Sequence, residues 1–429
     1  MLTFRFTSHL LCSLVPLVLW WPVAPVQAVA QTFTVLYTFG SVNYANGSGP
    51  VGTLAMDGNG VLYGVTALGG AYSQCDDGEE YGCGTVYSLT PPASPGGAWT
   101  ETVLWSFGAS INDGSDPNGI VMGRNGVLYG TTTFGGQSIG GGCCGTVFSL
   151  TPPSSPGGAW TEAIIWLFPA DGVSAYPSGL AIGSKGALYG ANASGGPRYH
   201  GDLYSLDPPA SPGGAWRHTE LWAAREDRDG LEPEAGVVIG SGGEIYATAF
   251  GGGSGNSGIV FSLTPPAAPG AGWTQTVLYN FPEGTGWHPT ALSLGAGGVL
   301  YGTTILNAPP SKQGGTIFSL APPASQGEPW TETTLWEFPT IKGEGGTSDQ
   351  PEGSLLIQPQ TGALFGATGD YNSPGVLFEL VPPSSEGSGW TEQVLPPKNT
   401  LELPMLGLGV PGALYGTDAG TNIVWSLTP

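Results

Sequence analysis

Seven times the chain passes through one phrase, and that repeat limits the fold more than any single residue does. A proline opens each copy, at Pro50, Pro117, Pro177, Pro233, Pro289, Pro351 and Pro404. An aromatic residue follows eleven to fourteen residues later, at Tyr63, Tyr129, Tyr189, Tyr246, Tyr301, Phe365 and Tyr415. A third segment reads GTVYSL, GTVFSL, GDLYSL, GIVFSL, GTIFSL, GVLFEL and NIVWSL, and a fourth begins at Trp99, Trp160, Trp216, Trp273, Trp330 and Trp390. Short segments of this kind, rich in β-branched and aromatic residues and bounded by Gly, Asn and Pro, read as strands. Four of them in a period of roughly 50 residues are the mark of a β-propeller. The expected fold is therefore all-β, a seven-bladed propeller of four-stranded blades, with the strands of each blade named A to D in chain order.

Composition supports this only because it is periodic. Gly 74 and Pro 39 together make 113 of 429 residues, a share that without a period would suggest disorder. Here they fall between apolar runs, in turns such as Asp57-Gly58-Asn59-Gly60 and Arg124-Asn125-Gly126, where Gly and Asn accept the positive φ that other residues resist. With 40% hydrophobic residues and 14 Trp, the chain has ample material for a core.

The two ends of the chain complement each other. The last copy ends after strand C at Leu427, while Phe33 to Phe39, FTVLYTF, matches the second half of a strand D. The amino-terminal strand is therefore expected to dock as the fourth strand of the last blade and close the ring without an open edge. Ahead of it, Arg5, an apolar stretch from Leu10 to Ala24 and the small-x-small site Ala28-Val29-Ala30 read as a signal peptide over residues 1–30, leaving residues 31–429 as one domain. The product is expected in a secreted, periplasmic or extracellular location, without membrane insertion. Losing Arg5 changes 10 basic against 32 acidic residues to 9 against 32, a net charge of 9 − 32 = −23. Such a field argues against nucleic acid as a partner.

Strand B ends in Gly-Gly at Gly69-Gly70, Gly135-Gly136, Gly195-Gly196 and Gly251-Gly252. An inner strand, an aromatic strand with that ending and an outer Trp strand resemble kelch-type propellers. LYGTTTFGG at Leu128 to Gly136 and GTVFSLTPP at Gly145 to Pro153 more closely resemble the bacterial choice-of-anchor tandem-repeat proteins with GloVer-type repeats, over almost the whole chain after residue 30. That resemblance implies the fold and export, and supplies no catalytic residue.

Comparison between copies separates two faces. From the Leu of strand C to the Trp of strand D the spacing is ten residues in all six copies, Leu89 to Trp99 through Leu380 to Trp390. From the strand B aromatic to the Gly before strand C it runs from 10 residues, Phe365 to Gly375, to 21, Tyr63 to Gly84. In a meander the B–C and D–A connections leave one face and the A–B and C–D connections the other. One face is thus uniform and the other diverse, and a binding site belongs on the diverse loops.

Candidate chemistry on that face is sparse. Cys75 and Cys83 frame an acidic loop with Asp76, Asp77, Glu79 and Glu80, which in an exported protein reads as a disulfide-closed loop. Its carboxylates are of the type Ca²⁺ prefers, but the spacing fits no calcium loop, so calcium is the weaker reading and no cofactor or metal site is expected. Cys143 and Cys144 are left open between a vicinal disulfide, another bridge and free thiols. Asp227, Asp229, Gly230 and Glu232 form a short acidic cluster among Arg225 and Arg228, read as surface ion pairing. His200 and His218 lie in the third copy and His288 at the opening of the fifth, and no Ser, His and Asp set can be singled out. Trp105, Trp166, Trp222, Trp336 and Tyr279 recur at one repeat position and read as packing between blades. Aromatics outside the repeat, Tyr44, Tyr72, Phe134, Tyr176, Tyr199, Trp287 and Tyr371, are candidates to stack on sugar faces or form an interface.

The residues favour a monomeric, non-catalytic exported propeller that binds a glycan or a protein through Tyr176, Tyr199, Trp287 and Tyr371, with no catalytic residue assigned. One alternative is a polysaccharide-acting hydrolase or lyase with carboxylates at the central funnel; a structural cell-surface component is another. An enzyme should bring carboxylates of perturbed pKa together in the central depression, and a binder should expose aromatics there.

Overall fold

A computed structural model describes residues 31–428 except 41–43, 73–74, 76–81, 111, 137–143, 156, 170–174, 197–198, 212, 226–229, 269–270, 283–286, 307–313, 326, 339–349, 371–372, 386, 398–400, 403 and 411. Seven four-stranded antiparallel sheets form a seven-bladed β-propeller. Blade 1 runs Ser48–Met56, Leu62–Leu68, Thr85–Thr90 and Thr100–Ser106, and blade 2 runs Gly114–Met122, Leu128–Gly135, Thr146–Thr151 and Thr161–Leu167. Blades 3 to 6 repeat the meander. Among the described residues no helix is long and apolar enough to cross a membrane.

Blade 7 takes its strands A to C from Pro404–Val410, Ala413–Asp418 and Ile423–Thr428, and its strand D from Thr32–Thr38 at the other end of the chain. The register sets Thr32 opposite Thr428 and Thr38 opposite Ile423. Phe39 N–H donates to Asn422 O at 2.9 Å, as Phe107 N–H donates to Gly84 O in blade 1, so the amino-terminal segment makes the same bonds as any other strand D.

The core lies in the seams between blades. Each apolar cluster joins two neighbours: Val65, Val86 and Phe107 of blade 1 with Ile120, Leu128, Phe148 and Leu150 of blade 2, and Phe39 and Val424 of blade 7 with Leu54, Tyr87 and Leu89 of blade 1. A strand-sized sheet cannot bury both faces alone, so stacking on its neighbours is what removes this area from water. The Trp that begins strand D latches onto the strand B tyrosine of the preceding blade, with ring centroids 5.9 Å apart for Tyr63–Trp160 and 5.8 Å for Tyr129–Trp216. Trp222 packs 4.8 Å from Phe261 and Trp166 stacks at 4.5 Å on His218, both across seams.

A second lock explains why Gly precedes strand C and Pro opens strand A. A Cβ on Gly84 would lie 2.4 Å from Cδ of Pro117 in the next blade and 2.6 Å from Thr66 O in its own. The same contact recurs at Gly145 with Pro177 (2.7 Å), Gly201 with Pro233 (2.5 Å), Gly258 with Pro289 (2.4 Å), Gly315 with Pro351 (2.5 Å) and Gly375 with Pro404 (2.6 Å). Only a residue without a side chain lets the next blade approach this closely. At the closing seam Asn422 replaces the glycine at φ 60, and its Oδ1 accepts from Gly49 N–H at 2.6 Å and Ser48 Oγ–H at 3.1 Å. The ring therefore closes through a polar clamp in place of the Gly–Pro contact.

Candidate functional site

The strand A segments line the centre of the ring, and two of them are cut short. Strand A spans nine residues in blades 1 and 2 but only Ala181–Ile182 in blade 3 and Val238–Ile239 in blade 4. Ahead of these stubs the backbone meets strand B in isolated bridges, Pro177 with Asn192 and Leu231 with Gly251. Where the inner strands fail to pair, a cavity of about 620 Å³ opens, lined by Asn118 and Thr133 of blade 2, Tyr176, Ser178 and Ser194 of blade 3, and Glu232 and Glu234 at the start of blade 4. Tyr176 and the two glutamates belong to D–A connections, so the cavity is on the diverse face.

Its walls are held by hydrogen bonds that cross seams. Asn118 Nδ2 donates to Pro177 O at 2.7 Å and its Oδ1 accepts from Thr133 Oγ1 at 2.8 Å. Thr131 Oγ1 donates to Ser178 O at 3.0 Å. Tyr176 keeps 42% of its surface exposed while its ring packs edge-on at 5.9 Å against Phe134. The ring is therefore both fixed and presented. Burial and the neighbouring Glu232 charge push the Glu234 carboxyl above its ordinary range.

The residue immediately before the opening proline is left-handed in blade after blade: Gly49 (φ 64), Asp116 (56), Tyr176 (47), Glu232 (56) and His288 (60). Non-glycine residues avoid this region, and a following proline normally pushes its neighbour to extended backbone. Bonds to the preceding blade hold the conformation. Asp116 N–H donates to Cys83 O at 3.1 Å, Glu232 N–H to His200 O at 2.9 Å and His288 N–H to Ser257 O at 3.1 Å. Costly backbone of this kind concentrates at binding and catalytic sites. Here it places one non-repeated side chain at the start of the inner strand in each of blades 2 to 5.

The candidates read from sequence separate as follows. Tyr176 lines the cavity. Tyr199 is 53% exposed on the adjoining B–C loop of blade 3, next to His200, and does not line it. Trp287 lies in strand A of blade 5, paired with Leu306, rather than in a loop, and its side chain lies outside the described residues. Tyr371 also lies outside them, as do Asp227 and Asp229. Glu232, read as part of a surface ion-pair cluster, is exposed and lines the cavity with Glu234. Neither Glu234 nor Asn118 and Thr133 stood out in sequence; the signal that would have found this wall is the pre-proline position, which differs in every copy while the proline does not.

Behind the cavity, blade 3 departs from its neighbours once more. Strands B and C are tied by buried threonine pairs in blades 1, 2 and 5, Thr66–Thr85 at 2.8 Å, Thr132–Thr146 at 2.9 Å and Thr304–Thr316 at 2.8 Å. In blade 3 the pair is Asn192 Nδ2 donating to Asp202 Oδ1 at 2.9 Å. Burial raises the Asp202 carboxyl to about 7, with the Asn192 bond opposing and the Glu220 charge adding. Cys75 and Cys83 are joined by a disulfide with Cα atoms 5.4 Å apart; the acidic residues between them lie outside the described residues. Cys144 is also disulfide-bonded, which removes the free-thiol reading; its partner is not among the described residues. Among the described residues no three His, Cys, Asp or Glu side chains converge as a metal site.

Comparison with solved structures agrees with the architecture. PorZ, a bacterial surface component of the type-IX secretion system of Porphyromonas gingivalis, is 13% identical, with a TM-score of 0.53 over 89% of this chain and 46% of its own. A Trichoderma reesei protein of Carbohydrate-Active Enzymes Family AA12 is 12% identical, with a TM-score of 0.47 over 94% of this chain and 97% of its own. At 13% identity the likeness to PorZ is one of fold. No curated protein matches the chain. The Gloeobacter/Verrucomicrobia repeat matches residues 26–213 and 176–418, and with nearly the whole propeller inside those two overlapping spans, the chain belongs to the Gloeobacter/Verrucomicrobia repeat family.

Proposed function

We propose that the protein is an exported binding module that takes a glycan on the diverse face of its propeller, in the cavity between blades 2, 3 and 4. The observation that carries the reading is the make-up of that cavity: one exposed, edge-packed Tyr176 ring above a wall of hydrogen-bonding side chains, Asn118, Thr133, Ser178, Ser194, Glu232 and Glu234. A sugar offers an apolar face for the ring and hydroxyls for amides and carboxylates, so the combination suits a polyhydroxylated ligand better than an apolar one. Tyr199 on the next loop would extend contacts along a chain of several sugars.

The pair Glu232 and Glu234 favours a second reading, a polysaccharide-acting hydrolase or lyase. Glycoside cleavage, however, uses carboxylates that flank the scissile bond. Here both acids stand two residues apart in the chain, on either side of Pro233, and line the cavity with Tyr176 and Asn118, which suits holding a sugar more than cutting it.

Glycan-array binding by the chain beginning at Gln31, followed by titration of Tyr176→Ala and Glu234→Gln, tests both. The binding reading expects a glycan ligand recovered intact, with affinity lowered by about 1–3 kcal/mol in Tyr176→Ala. Release of shortened oligosaccharides that stops in Glu234→Gln would establish the enzyme instead, and a protein ligand captured in place of any glycan would retain the face but change the partner.

A further inference from the structure

The seam between blades 6 and 7 lacks a part that the other seams possess. Elsewhere a strand B tyrosine receives the Trp that begins strand D of the following blade, as in Tyr63–Trp160, Tyr129–Trp216, Tyr189–Trp273 at 6.4 Å and Tyr246–Trp330 at 6.1 Å. In blade 7 strand D comes from the amino-terminal segment. Its Thr32 pairs with Thr428 as Thr100 pairs with Thr90 in blade 1, so the place of Trp99 falls on Gln31. Among the described residues no tryptophan takes that place; the aromatic of this strand at the seam is Phe33, which packs on the cluster of Phe365 and Leu427.

Two further departures face the same place. The strand B aromatic of blade 6 is Phe365 where other blades carry Tyr, and its cross-strand partner is Glu379 where they carry Ser, as in Tyr63 opposite Ser88 and Tyr129 opposite Ser149. The result is a cavity of about 560 Å³ on the uniform face, lined by Gln31, Leu356, Phe365, Glu379, Leu414 and Leu427. Leu414 and Leu427 occupy the positions of Leu128 and Leu150, which pack in one cluster with Trp160. The walls are thus those of an indole site, and its volume is that of a ligand pocket.

We propose that this cavity is a receptor site for a tryptophan side chain carried by an extended segment of a partner protein, which completes the latch that blade 7 lacks. Quasi-equivalence specifies the ring, since the same leucines and strand B aromatic receive indole at the other seams. Glu379 specifies a donor. Burial pushes its carboxyl above the ordinary range, and an indole N–H brought against it would give this half-buried acceptor a donor. The segment would arrive as an extended chain because strand D begins immediately beside Gln31, so its residues run on in the line of that strand.

The test uses the full chain and N-acetyltryptophanamide, read by saturation-transfer NMR and by thermal shift, with N-acetylalaninamide as control. The expected result is saturable binding of the tryptophan probe alone. Gln31→Trp should fill the site from within, raising the melting temperature and weakening the probe at least tenfold; Glu379→Ser, which restores the residue of the other blades, should weaken it severalfold without loss of folding. No saturable binding, or equal affinity in the wild type and Gln31→Trp, overturns the proposal. Binding that emerges only when Trp20 and Trp21 are both replaced by Ala would make this chain its own occupant and overturn the partner assignment.

Discussion

Single side chains in this propeller do two kinds of work, and Tyr176 does both. Its backbone sits at φ 47 ahead of Pro177, a conformation that costs a tyrosine on the order of 1–3 kcal/mol relative to a permissive residue. Tyr176→Gly should therefore leave stability unchanged or raise it by about 1 kcal/mol, while glycan affinity falls with the loss of the ring. A large loss of stability on urea unfolding would show the ring to be a core element and not a presented one. Buried acids behave differently. Burial raises Glu101 and Glu162 at the seams and Asp202 behind the cavity to about 7. A carboxyl whose folded pKa exceeds its unfolded one favours folding in the protonated form, so its contribution is complete below the ordinary carboxylate range and is lost as pH rises through about 7. The melting temperature should accordingly climb as pH falls from 8 to 5, and Asp202→Asn should flatten that climb. A profile that declines over this interval, or is unchanged by the substitution, would contradict it.

Among elements, the contact of Gly before strand C with Pro at the next strand A is the joint from which both the ring and the cavity follow. Gly201→Ala puts a Cβ at 2.5 Å from Pro233 Cδ and 2.6 Å from Asn192 O, on a backbone at φ +91. The expected cost is about 2–4 kcal/mol from backbone strain and overpacking together, measured by chemical denaturation. Because Pro233 stands between Glu232 and Glu234, the same change should displace the acidic wall and weaken ligand binding. Gly96→Ala, also at positive φ (+80) but with nothing within 4 Å, is the control for strain alone, and an equal loss there would remove the lock from the account. The period of prolines, aromatics and tryptophans made these joints legible in sequence, since each seam needs the same residues at the same offset. The cavity was less legible. It arises where strand A of blades 3 and 4 fails to pair over its first half, and Pro177 to Ile182 reads in sequence much like Pro117 to Met122, which does pair. Glu232 was read only with its acidic neighbours, because what brings it to the cavity is a backbone bond to His200 in another blade, a contact that no local pattern records.

For the whole molecule the decisive question is what holds the first strand to the last blade, since the rest of the propeller depends on that seam. Strand D of blade 7 pairs with Ile423–Thr428, Phe39 is 2% exposed and its ring meets Tyr87 of blade 1 at 5.0 Å. Phe39→Ala should cost about 3–5 kcal/mol, as other deletions of a buried aromatic do. Asn422→Ala, which removes the acceptor for Ser48 and Gly49, should cost about 1–3 kcal/mol by stranding donors at a part-buried seam. Deleting 32–39 removes the aromatic and the strand pairing together, and exposes the edge of Ile423–Thr428. The sum approaches the 5–15 kcal/mol typical of a whole domain, so this truncation should melt far below the intact chain and aggregate through its open edge. If the ring instead tolerated the truncation with an unchanged melting temperature, the six remaining seams would have to hold an open propeller by themselves, and the amino-terminal strand would be an accessory rather than the closure.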